Sequence, residues 1–194
     1  MNDGRTPNEG RTAGRTRGRP ARVTLRTDEV GSTMAMPDVQ HEVPSIGSLP
    51  GVTRMVEVHF EDLDPTGVVH NSRYPLLLEH AFTAYWREQG WHHDPTRSAF
   101  EDSVQVVRAL ELTYHFPVME PGMVAVRFWL ERVGRTGYTY GFKLLSGDGA
   151  VVHAEGTRTQ VNLDPATLAP APLSEKVLAA AEPLTREARA DRPA

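Results

Sequence analysis

Asp62 and Asp64 stand one residue apart in FEDLDPTGVVHNSRY, the stretch from Phe60 to Tyr74. Behind them come Pro65-Thr66-Gly67, two valines and His70-Asn71, and then an apolar pattern of helical period begins. Taken alone, Asp with Pro and Gly marks a turn, because Asp bonds nearby backbone and Gly accepts positive φ. Just ahead of a helix, the same residues can do more. The first N–H groups of a helix have no intrahelical partner and carry partial positive charge, so they can polarise a carbonyl or hold a developing oxyanion. A carboxylate beside such donors is half of a hydrolytic site. An Asp of ordinary pKa ~4 is a weak base at neutral pH, so the other half is a substrate with a good leaving group. A thioester meets that need, since thiolate leaves more easily than alkoxide.

Rival chemistries fare worse. The chain of 194 residues has no cysteine, which excludes disulfides, thiolate metal sites and a cysteine nucleophile. His92-His93-Asp94 and the set His59, Asp62, Asp64 and His70 invite a metal reading, but neither has a recognised ligand spacing. Gly-x-Ser-x-Gly, a P-loop and a dinucleotide-binding glycine pattern are all missing. Asp62 is expected to bond backbone N–H groups of its own loop, and Asn71 to cap the helix. Gly67 suits positive φ or a close backbone approach. Tyr74 belongs to the apolar face with a phenol near the helix start, and Glu79, off that face, either lines the site or pairs with a cation. Arg132, Arg135 and Arg158 could meet an anionic ligand but read more simply as solvated strand-edge residues.

The elements that must position these groups are visible in the pattern. Arg54 to Phe60 reads as a strand. From Ser72 to about Gly90, Tyr74, Leu77, Leu78, Ala81, Phe82 and Tyr85 recur at helical spacing, with Pro75 tolerated in the first turn and Gly90 as the stop. A polar loop follows, then strand candidates at Val104–Phe116, around Val124–Leu130, around Tyr138–Leu144 and at Ala150–Val161. On the first, Val104, Val106, Leu110, Leu112, Tyr114 and Phe116 share a face that Arg108 interrupts. Val133-Gly134-Arg135 and Ser146-Gly147-Asp148-Gly149 read as hairpin connections. Leu173 to about Arg189 looks like a surface helix broken or bent at Pro183. One apolar helix and a largely antiparallel sheet with one buried face solve each other's exposure if the sheet curves around the helix, an α+β arrangement.

Residues 1–50 form an Arg/Gly/Pro-rich tail, with GRT repeated at Gly4, Gly10 and Gly14, expected to be disordered for want of apolar surface. It reads as a solvated extension, or as upstream sequence ahead of a start at Met34 or Met36. Its arginines are not interleaved with aromatics as single-strand binding favours, so nucleic acid is not the expected partner. No apolar run approaches the ~20 residues of a membrane span, and no secretory signal pattern opens the chain. A cytoplasmic protein without membrane partners is expected.

Asp62 to Glu79, DLDPTGVVHNSRYPLLLE, resembles the D-x-D-x-x-G-x-V-x-N-x-x-Y-x-x-x-x-E signature of the 4-hydroxybenzoyl-CoA thioesterase family of hotdog-fold acyl-CoA thioesterases. The strand, helix and four-strand order over about 51–165 is similar to that fold along its length, leaving 166–194 as a partly helical extension. The resemblance implies an acyl-CoA substrate, no cofactor, and Asp64 as catalytic carboxylate, acting as nucleophile or as base toward water. It implies that backbone N–H groups near His70 and Asn71 polarise the thioester carbonyl, and that the chain forms a homodimer or homotetramer with sites between subunits. One branch of the family has His directly after the Gly, where this chain has Val68. Hydrolysis of acyl groups on acyl carrier protein, a hotdog hydratase and a non-catalytic acyl-CoA-binding module are the alternatives.

Overall fold

The computed structural model describes residues 51–102 and 104–185. The tail 1–50, Ser103 and residues 186–194, including the last residues of the expected C-terminal helix, lie outside the described residues. In chain order the elements are β1 (Val52–Val58), α1 (Tyr74–Glu88), β2 (Gln105–Tyr114), β3 (Gly122–Val133), β4 (Gly137–Ser146), β5 (Val152–Asn162) and α2 (Glu175–Thr185). Two 3-10 turns, Phe60–Asp62 and Asn71–Arg73, bracket the acidic loop between β1 and α1.

All strand pairs are antiparallel, in one curved sheet of order β1-β3-β4-β5-β2. Its inner face packs on α1. The helix buries Tyr74, Leu77, Leu78, Ala81, Phe82 and Tyr85, the face that its spacing predicts, and adds Trp86. Phe82 stacks on Tyr140 with centroids 4.5 Å apart and meets Phe128 edge-on at 4.7 Å. Each such buried side chain contributes ~1.5–3 kcal/mol by leaving water. Two polar pairs sit in this core: Trp86 Nε1 donates to Tyr140 Oη at 2.7 Å, and Tyr138 Oη to Gln105 Oε1 at 2.5 Å. Burial pushes the Tyr138 phenol up to about 12.

Pro75 sits in the first turn of α1. At the other end Gly90 takes φ +100°, Gly90 N–H reaches Arg87 O at 3.1 Å and Trp91 N–H reaches Trp86 O at 2.8 Å. This is a Schellman stop, and it needs the left-handed residue that glycine supplies. The turn at 146–149 closes β4 onto β5, with Gly149 N–H on Ser146 O at 2.7 Å.

Three elements depart from the pattern. β1 runs Val52–Val58 rather than Arg54–Phe60, because Phe60 already begins a 3-10 turn whose entry N–H, on His59, donates to the Asp62 carboxylate at 2.9 Å. On β2 the register shifts between Val107 and Ala109, so Arg108 is a bulge. A bulge moves every later side chain by one position, so Val106 does not share a face with Leu110; Val107 and Leu110 instead line one cleft. Finally, α2 runs through Pro183 to Thr185 and buries Val177, Ala181 and Leu184 in the main core. Tyr85 Oη on α1 donates to Ala180 O at 2.6 Å, while the opposite face of α2 stays exposed, as expected of a surface helix. Its N-terminus is anchored by buried Asp102, which accepts from Ser174 N–H at 3.0 Å and from Asn162 Nδ2 at 2.8 Å. Among the described residues no helix is long and apolar enough to cross a membrane.

Candidate active site

The acidic loop closes on itself before the helix begins. Asp64 N–H donates to Val68 O at 2.8 Å, Gly67 N–H to Asp64 O at 2.9 Å, and Leu63 bridges Val69. Gly67 takes φ +82° with nothing within 4 Å of where a Cβ would stand, so positive φ selects glycine here and close approach does not. Val69 N–H donates to Val118 O at 2.8 Å and ties the loop to the segment after β2.

Within that loop Thr66 holds the Asp64 carboxylate. Oδ1 accepts the Thr66 Oγ1 hydroxyl at 2.5 Å and its N–H at 2.7 Å. These bonds, with smaller help from the Val68 backbone and the His70 charge, hold Asp64 below the usual carboxylate range although burial opposes them. The group is therefore ionised at neutral pH. Asp62 is turned to structure: Oδ2 takes His59 N–H, and Oδ1 lies 3.7 Å from Arg73 Nε.

At the helix start the two expected donors differ. His70 N–H is spent on Asp62 O at 2.9 Å. Its ring caps the 3-10 turn, with Nδ1 accepting Ser72 N–H at 3.2 Å and lying 2.8 Å from Ser72 Oγ, so His70 caps where Asn71 was expected to. Asn71 N–H, first in the turn, has no partner among the described residues, and Asn71 O accepts Tyr114 Oη at 3.1 Å. Tyr74 is buried and meets Tyr114 edge-on, centroids 4.9 Å apart. Burial, foremost, raises its phenol.

Asp64, Val68, His70, Asn71, Tyr74 and Tyr114 line one cleft of about 480 Å³, closed on another side by Phe116 and Pro117. Glu79 is not among its lining residues. It lies farther along α1 and pairs with Arg158 at 2.5 Å. Arg158 is buried beneath the helix, its guanidinium 5.1 Å from the Phe82 ring, and is not the solvated strand-edge residue expected. Arg132 and Arg135 line a separate cleft with Arg108, around the β3–β4 hairpin. His92 Nδ1 and the Asp94 carboxylate are occupied with turn N–H groups, and no three described His, Asp or Glu residues are placed to hold a metal ion.

Two contributors escaped the pattern. Thr66 was readable in principle, since Asp-x-Thr is an Asx-turn spacing. Tyr114 was not, because nothing near it in the chain points to a helix start 43 residues away.

A five-stranded antiparallel sheet curved around one helix is the hotdog fold. The chain belongs to the Thioesterase-like superfamily, whose model matches residues 58–181, and it is a thioester hydrolase. It is similar to a Thermus thermophilus thioesterase solved with coenzyme A and Zn, at 28% identity and TM-score 0.57 over 69% of this chain and 92% of that one. It shares its fold with a Pseudomonas aeruginosa protein, at 20% identity and TM-score 0.62 over 71% of this chain and 94% of that one. The same holds for a Staphylococcus aureus DHNA-CoA thioesterase, at 20% identity and TM-score 0.54 over 62% and 78%. No curated protein sequence matches the chain.

Proposed function

We propose that the protein hydrolyses an acyl-CoA thioester to the free acid and CoA, as a relative of the 4-hydroxybenzoyl-CoA thioesterases. Asp64 is the catalytic carboxylate and Asn71 N–H polarises the thioester carbonyl. The observation that carries this reading is the cleft shared by the Thr66-held carboxylate and the unpaired helix-start N–H. CoA as the thiol carrier is supported by the Thermus thermophilus thioesterase, which was solved with coenzyme A.

In this scheme the carbonyl oxygen takes the Asn71 donor, which strengthens as negative charge develops there. Asp64 either attacks the carbonyl carbon, expelling CoA thiolate and leaving a mixed anhydride for water to open, or draws a proton from the water that attacks. A carboxylate with lowered pKa is a poor base, so both routes rely on the thiolate as leaving group. With its N–H on Asp62 O, His70 serves as a positioning residue that caps the turn carrying Asn71. A homodimer or homotetramer is supported by edge strand β2, which leaves Val106, Val107, Leu110 and Tyr114 exposed.

The test is CoA release from aliphatic and aromatic acyl-CoAs, followed with a thiol-reactive dye, on the wild type and Asp64→Ala. A fall of at least ~100-fold, about 2.7 kcal/mol of barrier, is the expected outcome. Turnover that survives the substitution overturns the role of Asp64. Turnover confined to acyl carrier protein thioesters, or acyl-CoA binding without any turnover, replaces the reading with one of those alternatives.

A further inference from the structure

Beyond the Asp64 cleft, a second cleft of about 270 Å³ lies along α1 and β2. Pro75, Leu76 and Leu78 of the helix and Val107 and Leu110 of the strand give it apolar walls, and Glu79 and Arg158 are its charged lining residues. Arg158 reaches this position from the sheet: it pairs across strands with Leu110 on one side and Tyr140 on the other. The arginine side chain is 6% exposed while its partner, Glu79, is 51% exposed. Among the described residues only Nη2 of the guanidinium is paired, and Nε is buried without an acceptor.

Buried arginines ordinarily have their donors satisfied, and an apolar pocket with a few placed polar groups is the usual form of a selective ligand site. A buried fork with one carboxylate on it, lining an otherwise apolar cleft, is therefore a built polar group. The pair also has a particular chemistry. As a whole it is neutral. An anionic ligand group would meet Glu79 and be repelled, and a hydrocarbon end would leave the guanidinium against apolar surface. A hydroxyl fits both partners, accepting from an arginine N–H and donating to the Glu79 carboxylate.

The spacing sets where that hydroxyl must be. Tyr114 to Leu110 covers about 13 Å at the rise of a strand, and Asn71 to Glu79 covers about 12 Å at the rise of a helix. A single aromatic ring held at Asp64 does not reach so far; a medium-length aliphatic chain does. We infer that Arg158 and Glu79 select the acyl group of this hydrolase, favouring aliphatic chains that carry a hydroxyl near their far end. The inference rests on the thioesterase reading above and names its substrate class.

Decanoyl-CoA and its ω-hydroxy and ω-carboxy analogues test it in two ways. One is kcat/KM on the full chain, and the other is equilibrium binding to Asp64→Ala by calorimetry, which needs no turnover. The ω-hydroxy thioester is expected to win by at least ~10-fold, about 1.4 kcal/mol, in both, with the ω-carboxy form last. Arg158→Gln, and Glu79→Gln at its half-exposed position, should each bring the hydroxy-to-plain ratio toward one. Preference for the plain or ω-carboxy chain, or a ratio unmoved in both variants, overturns the inference. Selective binding without turnover leaves it standing while the catalytic reading falls. Asp64-dependent turnover without preference does the reverse, and no binding at all sinks both.

Discussion

At the residue scale the acidic loop divides its labour. Asp62 spends both carboxylate oxygens near His59 and Arg73, while Asp64 leaves Oδ2 without a hydrogen bond among the described residues. Thr66 holds the Asp64 carboxyl below its ordinary value, so Thr66→Val, which removes the hydroxyl donor, should raise the Asp64 pKa. Because activity needs the charged form, the acid limb of the pH profile of kcat/KM should move to higher pH. An unmoved limb would show that Asp64 is not the group reported there. His70→Ala tests a different claim. With the N–H on Asp62 O and the ring capping Ser72, its loss should cost about 1 kcal/mol of stability, as loss of a cap does, and change kcat less than ~10-fold. A loss as large as that of Asp64→Ala would give the imidazole a direct part in the chemistry.

The elements matter because they bring separated residues to one cleft. β2 carries Tyr114 to Asn71, and as an edge strand it forms its ladder with β5. That pairing is unusually close at Gly156, where a Cβ would stand 1.9 Å from Glu111 O. Gly156→Ala must push the two strands apart, at a cost near the ~3 kcal/mol upper end for overpacking. Thermal melts should show the loss, with turnover falling in step as Tyr114 is displaced. A melting temperature within a degree of wild type would mean that the ladder can open there freely. The Arg108 bulge acts on the same strand: without its one-residue shift Val107 and Leu110 would not share a cleft.

For the whole molecule the exposed apolar edge is the decisive feature. An edge strand that presents unpaired backbone together with Val106, Val107 and Leu110 is a template for pairing with another chain. Sedimentation equilibrium should therefore return at least twice the 21.5 kDa chain mass. A single-chain mass at the concentrations used for assay would mean that the site works without a second subunit.

The sequence by itself determined whatever depends on neighbours in the chain. The buried face of α1 follows from a 3.6-residue period, its stop from Gly90, and the turn at 146–149 from its glycines and Asp148. The hold of Thr66 on Asp64 belongs here too, since those hydrogen bonds join residues two positions apart. Tertiary structure decided the rest. Whether His70 N–H was free depended on how the loop folded back onto Asp62, and the side-chain parity of β2 depended on a bulge that answers to its pairing with β5. Arg158 reads as a surface residue until α1 lies over it and supplies Glu79. Backbone geometry sets local periods residue by residue, but contacts between distant segments are settled only when the whole core packs at once.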